Sequence, residues 1–284
     1  MSYGLVDALR NLGHEVISCP VDATTGNCEN ALLVTIESKS IDGAIISGPE
    51  HIGAKIGRIP LPTVAWLHET VEREDYGKLD VEAIKRSADI IFCPAIQDEK
   101  YGFTWLPLGV NTDIFKPNPA QEKTIDAGFI GLVYPKRKKF LDELKPHLNG
   151  LKLHIGNVKV SNADGSWNPR LTAERYAHVI RSMKVFVNLP SLSQTAVSKV
   201  YEVLACGVPL LTPAIKQTEN FEDMPCFRYE GLDELINFMH DILDHPDRIY
   251  PIKDVARLLN DHHRMELRCE KLVNALQSIG AKAA

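Results

Sequence analysis

Short apolar runs of strand length alternate with helix-length segments through almost the whole chain, and this alternation constrains the fold more than any other feature. In the first part, the apolar runs 42–47, 63–67 and 89–93 are separated by segments long enough for helices or crossover connections. Few of the runs alternate apolar with polar residues, which is typical of strands in a parallel sheet covered on both faces. Strands joined in this way form right-handed βαβ units. The sequence therefore predicts an α/β protein with parallel sheets.

A turn-rich stretch divides the alternating segments into two series. Residues 107–113 contain Pro, Gly, Asn and Asp, and residues 115–123 add two prolines among polar side chains. Such stretches are typical of interdomain connections. We therefore expect two doubly wound Rossmann-like domains, 1–112 and 113–262, which face each other across a cleft, and a C-terminal helix, 263–284, that packs back towards the first domain. Ligands of such folds bind beyond the carboxyl ends of the strands.

The chain opens with a helix pattern rather than with the strand that usually starts a doubly wound domain. Residues 3–12 place Leu5, Ala8 and Leu9 on one helical face, and the segment 14–18 that follows predicts a strand. This order suggests an N-terminal domain that lacks its first strand, together with the loop that would follow it.

Composition narrows the class of protein further. A chain of 284 residues with 44% hydrophobic and 24% charged residues is globular, and its net charge of −5 argues against wholesale binding to nucleic acid or anionic membranes. No apolar run reaches the roughly 20 residues of a membrane span, and the amphipathic N-terminus does not resemble a signal peptide. The six cysteines are scattered without a CxxC pair, which is typical of a reducing compartment. We therefore expect a cytoplasmic protein.

Several common catalytic and metal-binding motifs are absent from the sequence. It contains no GxGxxG, no GxxxxGK[ST] and no GxSxG. Residues 68–72 begin like a zinc-protease helix but end in Glu instead of His. His262 and His263 are neighbours, so on a helix their side chains point about 100° apart. No Asp-x-Asp occurs that would hold Mg²⁺ against a diphosphate, and we expect no metal site.

The first candidate ligand site follows a strand predicted at 125–130. The strand ends at Gly131, where the missing side chain lets a ligand approach the backbone. Four consecutive basic residues, 136–139, follow near the start of a predicted helix, where cations are unfavourable unless an anion lies among them. One interpretation is a diphosphate site in which Arg137 binds phosphate with its forked guanidinium. The other is a solvated basic helix start, and this stretch alone favours neither.

The second candidate site comprises a strand, a polar loop and a helix between residues 188 and 209. Backbone N–H groups around Ser198, near the start of the helix predicted for 197–205, are available to a phosphate. Glu202 lies in an otherwise apolar part of this helix, where a carboxylate is costly unless it accepts hydrogen bonds. The hydroxyl groups of a nucleotide would supply such donors. The alternative is a pair with Lys199, three residues earlier.

The run 199–210, KVYEVLACGVPL, resembles the nucleotide-sugar motif of the group-1 glycosyltransferases, which have the GT-B fold. Residues 88–272 are most similar to the spore-maturation (CgeB-like) branch, in which a basic residue also stands three positions before the glutamate. The resemblance implies a hexosyltransferase-like enzyme that takes a sugar from a nucleotide-diphosphate sugar bound by the second domain. The first domain would then bind the acceptor.

The resemblance also assigns roles to individual residues. The implied donor site comprises the ribose contact Glu202, the diphosphate contacts Gly131, Arg137, Lys138, Ser198 and Lys199, and the base-bordering residues Gly156 and Asn157. No cofactor is implied besides the nucleotide sugar as donor substrate. Without a metal ion, fixed cations and helix dipoles must stabilise the leaving diphosphate.

One position departs from the pattern of this family, and several functions stay open. Many retaining members carry a first glutamate eight residues before the second, where this chain has Gln194. In the acceptor-side domain, His68 is the candidate catalytic base, because imidazole exchanges protons near neutral pH, although a structural role is the alternative. The alternative functions are a non-catalytic nucleotide-sugar-binding or scaffold protein and a GT-B sugar-nucleotide epimerase. The acceptor could be a saccharide, a protein, a small molecule or modified DNA.

Overall fold

The computed structural model describes residues 4–18, 41–51, 58–72, 80–156, 159–161, 167–169, 172–192, 195–214, 224–246 and 252–283. Its helices are α1 (Leu5–Asn11), α2 (Val81–Ser87), α3 (Pro135–Leu144), α4 (Ala173–Arg181), α5 (Ser198–Ala205), α6 (Leu232–Asp244), α7 (Ile252–His262) and α8 (Met265–Ala283). Its strands are β1 (Ala44–Ser47), β2 (Thr63–Trp66), β3 (Ile90–Cys93), β4 (Thr104–Trp105), β5 (Ile125–Ile130), β6 (Leu153–Gly156), β7 (Lys159–Ser161), β8 (Trp167–Pro169), β9 (Met183–Val187), β10 (Leu210–Pro213) and β11 (Phe227–Tyr229). Short 3-10 turns lie at Pro49–His51, Ile96–Tyr101 and Lys145–Leu148.

The first sheet contains β1 to β4 in sequential order, and each pairing is parallel. β2 lies inside this sheet, and all four of its residues are buried. β3 beside it ends in the fully buried Cys93. Burial of both faces explains why these strands have unbroken apolar sequences.

The second sheet has the strand order β11-β10-β9-β5-β6 and is also parallel. β5 and β9 lie side by side in its interior, with Gly128 opposite Phe186. The chain segments that follow these two strands therefore emerge next to each other at the carboxyl edge of the sheet. This adjacency positions the candidate site described below.

The last helix connects the two halves of the molecule. α8 packs against α1 and β2 of the first half. Near its start, Arg268 donates hydrogen bonds to the carbonyl oxygens of Pro107 (2.8 Å) and Leu108 (3.3 Å), which belong to the segment between the two sheets. The end of the first half is therefore fixed to the start of the final helix.

The two parallel sheets confirm the predicted fold class, an α/β protein with two Rossmann-like domains. The strand predicted at 14–18 is wrong, because these residues are irregular and mostly exposed. No described strand pairs with residues 14–18, and a strand without a partner is not stable. The antiparallel hairpin of β7 and β8 was not predicted.

Candidate active site

The candidate site lies beyond the carboxyl ends of β5 and β9. Gly131 follows β5 and leads into α3, and Asn188 follows β9 on the path to α5. Because β5 and β9 are neighbouring parallel strands, the two connections meet at one edge of the sheet. The structure thus brings together the two motifs that the sequence presents more than 50 residues apart.

Arg137 is the buried member of the basic run. Its side chain is 7% exposed, and its guanidinium donates to the carbonyl oxygens of Leu132 (Nη1, 2.9 Å) and Pro190 (Nε, 3.0 Å). The guanidinium also lies over the ring of Tyr134, 4.6 Å from its centroid, and the Tyr134 hydroxyl donates to Pro190 as well (2.8 Å). Arg137 therefore links the loop after β5 to the loop after β9.

The lysines that follow Arg137 are solvated. Lys138 Nζ lies 2.6 Å from a carboxylate oxygen of Asp142, and Lys139 Nζ lies 4.0 Å from one of Glu143, each pair one helical turn apart on α3. The side chains of Lys138 and Lys139 are 70% and 82% exposed. Within the basic run, Arg137 therefore faces inward, whereas Lys138 pairs on the helix surface away from it.

Lys199 brings a second positive charge to the same place. Its Nζ lies 4.5 Å from the ring centroid of Phe129 and 5.9 Å from that of Phe186. The guanidinium carbon of Arg137 lies 5.2 Å from the centroid of the same Phe129 ring. Burial and the charge of Arg137 lower the pKa of Lys199 to about 7. The site therefore holds two cations that repel each other.

Gly131 makes room for this arrangement. A Cβ atom at Gly131 would lie 2.7 Å from Cζ of Phe129 and 2.8 Å from Nζ of Lys199, closer than real Cβ contacts come. Any side chain at this position would therefore displace the ammonium or the ring. The requirement for glycine arises here from its neighbours and not from an unusual backbone conformation.

Glu202 points into the protein and already has partners. It is 6% exposed, and burial raises the pKa of its carboxyl to about 7. The charge of Lys199 and a hydrogen bond from the Tyr176 hydroxyl act in the opposite direction. The attraction to Lys199 was one of the two sequence interpretations, whereas the contact with Tyr176 was not anticipated.

The remaining donor-site candidates lie around these residues or outside the described part of the chain. Ser198 is the first residue of α5 and is partly exposed beside Lys199. Gly156 ends β6, and its carbonyl accepts a hydrogen bond from the N–H of Gly131 (3.0 Å), so the two glycines are adjacent. Asn157 and Gln194 lie outside the described residues.

In the first half, His68 lies at the carboxyl edge of its sheet, two residues after β2. Its Nε2 lies 2.8 Å from Oγ of Ser47, the last residue of β1. The ring also packs edge-on against Trp66, with 5.9 Å between centroids. Ser47 and Trp66 therefore hold the imidazole of His68 at this edge, and His68 stays partly exposed.

Glu50 anchors the segment that carries His68, and the sequence did not indicate it. One carboxylate oxygen, Oε1, accepts the backbone N–H groups of His68 (2.8 Å) and Glu69 (3.2 Å). Glu50 is 4% exposed, and burial raises the pKa of its carboxyl to about 7, with the charge of Glu69 acting in the same direction. The only signal in the sequence is a glutamate three residues after the predicted strand at 42–47, a position that many solvated glutamates also occupy.

The described residues form neither a candidate metal site nor a membrane-spanning helix. No group of three or more His, Cys, Asp and Glu side chains there is arranged to hold a metal ion. None of the described helices combines the length and the apolar character needed to span a bilayer.

Residues 136–274, which include Arg137, Lys199 and Glu202, match a protein family described as glycosyl transferase-like. Comparison with curated proteins gave no match. Among solved structures, a sucrose-phosphate synthase from Thermosynechococcus elongatus is 14% identical and superimposes with a TM-score of 0.67 over 89% of this chain and 77% of that one.

Two further similar structures contain ligands. An α-glucosyltransferase in complex with UDP and a 13-mer DNA is 12% identical, with a TM-score of 0.65 over 96% of this chain and 94% of that one. HepE from Anabaena, in complex with UDP and glucose, is 11% identical, with a TM-score of 0.59 over 96% and 89% of the two chains. The fold is therefore that of the GT-B glycosyltransferases. The sequence match over residues 136–274 agrees with this fold and indicates a transferase.

Proposed function

We propose that the protein transfers a sugar from a nucleoside diphosphate sugar to an acceptor held by the first domain. The observation that carries this proposal is the pair of cations, Arg137 and Lys199, which share one aromatic ring beside Gly131. The two like charges repel each other and so destabilise the empty site. A bound diphosphate would attract both cations and offset this repulsion. The UDP in two similar structures makes UDP sugars the first donors to test.

The donor side of the proposal assigns residues 113–262 to the nucleotide sugar. Arg137 and Lys199 bind the diphosphate, with Gly131 allowing close approach and the first turn of α5 at Ser198 adding N–H donors. Glu202 binds the ribose, and Gly156 and Asn157 border the base. Lys138 contributes only long-range attraction, because its ammonium is paired with Asp142.

The acceptor side of the proposal assigns residues 1–112 to the molecule that receives the sugar. His68 accepts the proton of the attacking hydroxyl, which general-base catalysis makes a better nucleophile. Residues 263–284 join this domain from the other end of the chain, because α8 packs on α1 and β2. Within the group-1 enzymes, the resemblance of residues 88–272 supports the CgeB-like branch.

The chemistry of the transfer follows from the charges. As the bond between the sugar and the diphosphate breaks, negative charge grows on the leaving phosphate oxygen. Arg137 and Lys199 are already fixed near the place where this charge would develop, and such preorganised cations lower the barrier. Since they supply the positive charge, we propose that transfer needs no metal ion. Activity in excess EDTA is the corresponding measurement, and loss of activity that added Mg²⁺ restores would contradict this part.

Calorimetric titration with UDP, GDP and ADP tests the donor site before any acceptor is known. We expect one of these nucleotides to bind, and Glu202→Gln to raise its dissociation constant about tenfold through loss of a charged hydrogen bond. The matched control is Glu143→Gln, an exposed glutamate on α3 whose loss should leave binding unchanged. Equal effects of the two substitutions would contradict the role of Glu202.

Incubation with the matching nucleotide sugar distinguishes the candidate functions. A glycosyltransferase releases the nucleoside diphosphate, slowly to water and faster when an acceptor is present. Binding of the nucleotide sugar without release of the nucleoside diphosphate would favour a non-catalytic binding protein. This alternative is tested because Gln194 stands where many retaining enzymes have a glutamate. Conversion of the donor into an isomeric nucleotide sugar would favour an epimerase.

A further inference from the structure

The ring of Phe129 contacts both cations of the candidate site. Its centroid lies 4.5 Å from Nζ of Lys199 and 5.2 Å from the guanidinium carbon of Arg137. The face of an aromatic ring carries negative electrostatic potential, so it attracts cations within about 6 Å. A buried benzene ring therefore provides part of the attraction that a phosphate would provide after binding.

The fold fixes this ring rigidly. Phe129 is the penultimate residue of β5 and is 2% exposed. Phe186 on the neighbouring strand packs against it, with 6.4 Å between the centroids. Gly131, two residues further along, leaves the space in which the ammonium of Lys199 lies over the ring. Neither aromatic ring can move away without opening the core of the second sheet.

We propose that Phe129 is a positioning residue for the donor diphosphate, because its ring holds the Arg137 and Lys199 cations together at the end of β5 before the ligand binds. This inference rests on the proposed function, since it concerns the same donor site. It adds a residue without hydrogen-bonding groups to the machinery that neutralises the leaving group. Arg137 is fixed in addition by the carbonyl groups of Leu132 and Pro190, so Lys199 depends on the ring more strongly.

The proposal has a consequence for the protonation of Lys199. The charged groups that face this ammonium are Arg137 from α3 and Glu202 from its own helix, and the rings of Phe129 and Phe186 face it from the sheet. Burial and Arg137 favour the neutral amine, whereas Glu202 and the ring faces favour the ammonium. A diphosphate would add further attraction, so its binding draws a proton onto Lys199 when the pH is above the pKa of the free site.

The sharpest test replaces Phe129 by pentafluorophenylalanine, which keeps the shape of the ring but removes the negative potential of its face. The same replacement at Phe186 is the matched control, because that ring is equally buried but lies 5.9 Å from Lys199. UDP, or whichever nucleoside diphosphate binds the unmodified protein, is titrated into each protein between about pH 6 and about pH 8. We expect the replacement at Phe129 to weaken binding about five- to thirtyfold, with a smaller effect at Phe186.

The pH dependence separates positioning from a packing defect. Without the attraction of the ring, the pKa of Lys199 falls further, so the loss of affinity should be larger at about pH 8 than at about pH 6. Equal losses for the two replacements, or a loss that does not change with pH, would overturn the proposal. If the unmodified protein binds no nucleoside diphosphate, the proposed function fails too, which is a different result from binding that ignores Phe129.

A second measurement needs no variant and guards against a replacement that does not fold. Titration of the unmodified protein in two buffers with different heats of ionisation gives the number of protons taken up on binding. We expect uptake approaching about one proton at about pH 8 and much less at about pH 6, because Lys199 is already charged at the lower pH. No uptake at either pH would contradict the proposal.

Discussion

The two domains have the same architecture but opposite chemistry at corresponding edges of their sheets. The edge of the second sheet presents Arg137 and Lys199 against aromatic rings, whereas the edge of the first presents Glu50 beside the backbone of His68. The distribution of charge along the chain follows the same division. Residues 1–112 carry 16 acidic and nine basic side chains, a net charge of −7, and residues 113–284 carry 21 acidic and 23 basic ones, a net charge of +2. One fold thus supports a cation-based site in one half and a carboxylate-and-imidazole site in the other.

Under the proposed function, this difference in charge rather than topology separates the roles of the two halves. A diphosphate would be attracted to the second half and repelled by the first, which favours donor binding in the second half. The first half, with a proton-exchanging imidazole near a buried carboxyl group, suits activation of a hydroxyl group. Variants in each half test this separation between donor binding and acceptor activation.

The largest effect is expected for His68→Gln, which should abolish most turnover and leave donor binding unchanged. Loss of a general base slows the chemical step about a hundredfold or more. The rate is measured as release of nucleoside diphosphate from its sugar conjugate, and the affinity by calorimetry. His14→Gln, an exposed histidine in the same half, is the control. Weakened nucleotide binding by His68→Gln would break the separation between the halves.

Arg137→Ala should have the opposite profile, with weaker nucleotide binding as its main effect. Loss of a charge-assisted contact to phosphate should raise the dissociation constant about thirtyfold. Lys139→Ala removes an equally charged side chain that is 82% exposed and should change little. Because Arg137 also holds Leu132 and Pro190, thermal unfolding of the variant must be measured alongside. Equal effects of the two substitutions would favour the interpretation of the basic run as a solvated helix start.

Gly131→Ala should weaken nucleotide binding about tenfold by moving Lys199 away from its position. The added methyl group would lie 2.8 Å from the ammonium and 2.7 Å from the Phe129 ring, so at least one of them has to shift. Gly231→Ala is the control, since a Cβ there meets nothing within 4 Å. Unchanged affinity in the Gly131 variant would show that the diphosphate does not depend on this geometry.

The smallest effect on donor binding and turnover is expected for a change that acts on the stability of the first half. Because the pKa of Glu50 is raised to about 7 in the folded protein, its contribution to stability is present below the ordinary carboxyl range and is lost as the pH rises through about 7. Glu50→Gln should therefore flatten the fall in stability between about pH 5 and about pH 8 by about 2.5 kcal/mol. Chemical denaturation at both pH values measures this difference. Parallel pH profiles for the variant and the unmodified protein would contradict a buried, protonatable Glu50.

The sequence predicted the architecture better than the site. Apolar runs such as 63–67 identify buried parallel strands because burial on both faces leaves little choice of residue. Residues 14–18 contain only two apolar side chains, Val16 and Ile17, and they form no strand, because strand formation also depends on a neighbour that the segment itself does not specify. Local pattern therefore predicts which segments can be strands, and pairing decides which of them are.

Within the candidate site, the sequence could name residue types but not their orientation. Arg137 and Lys138 are adjacent and equally basic, and only the fold shows that the first is buried between two loops while the second pairs with Asp142. In the sequence, Phe129 has the pattern of an ordinary core residue. Its contact with two cations depends on α3, which begins a few residues later, and on α5, which begins about 70 residues later. Glu50 accepts hydrogen bonds from backbone N–H groups 18 and 19 residues away, and no local sequence pattern indicates a contact over that separation.

The most direct test of the account is a crystal structure of the protein grown with a saturating concentration of the nucleoside diphosphate that binds it. The account predicts that the diphosphate lies beyond the carboxyl ends of β5 and β9, within hydrogen-bond distance of Arg137 and Lys199, and that the ribose lies near Glu202. A nucleotide bound elsewhere, or a diphosphate that contacts neither cation, would contradict it.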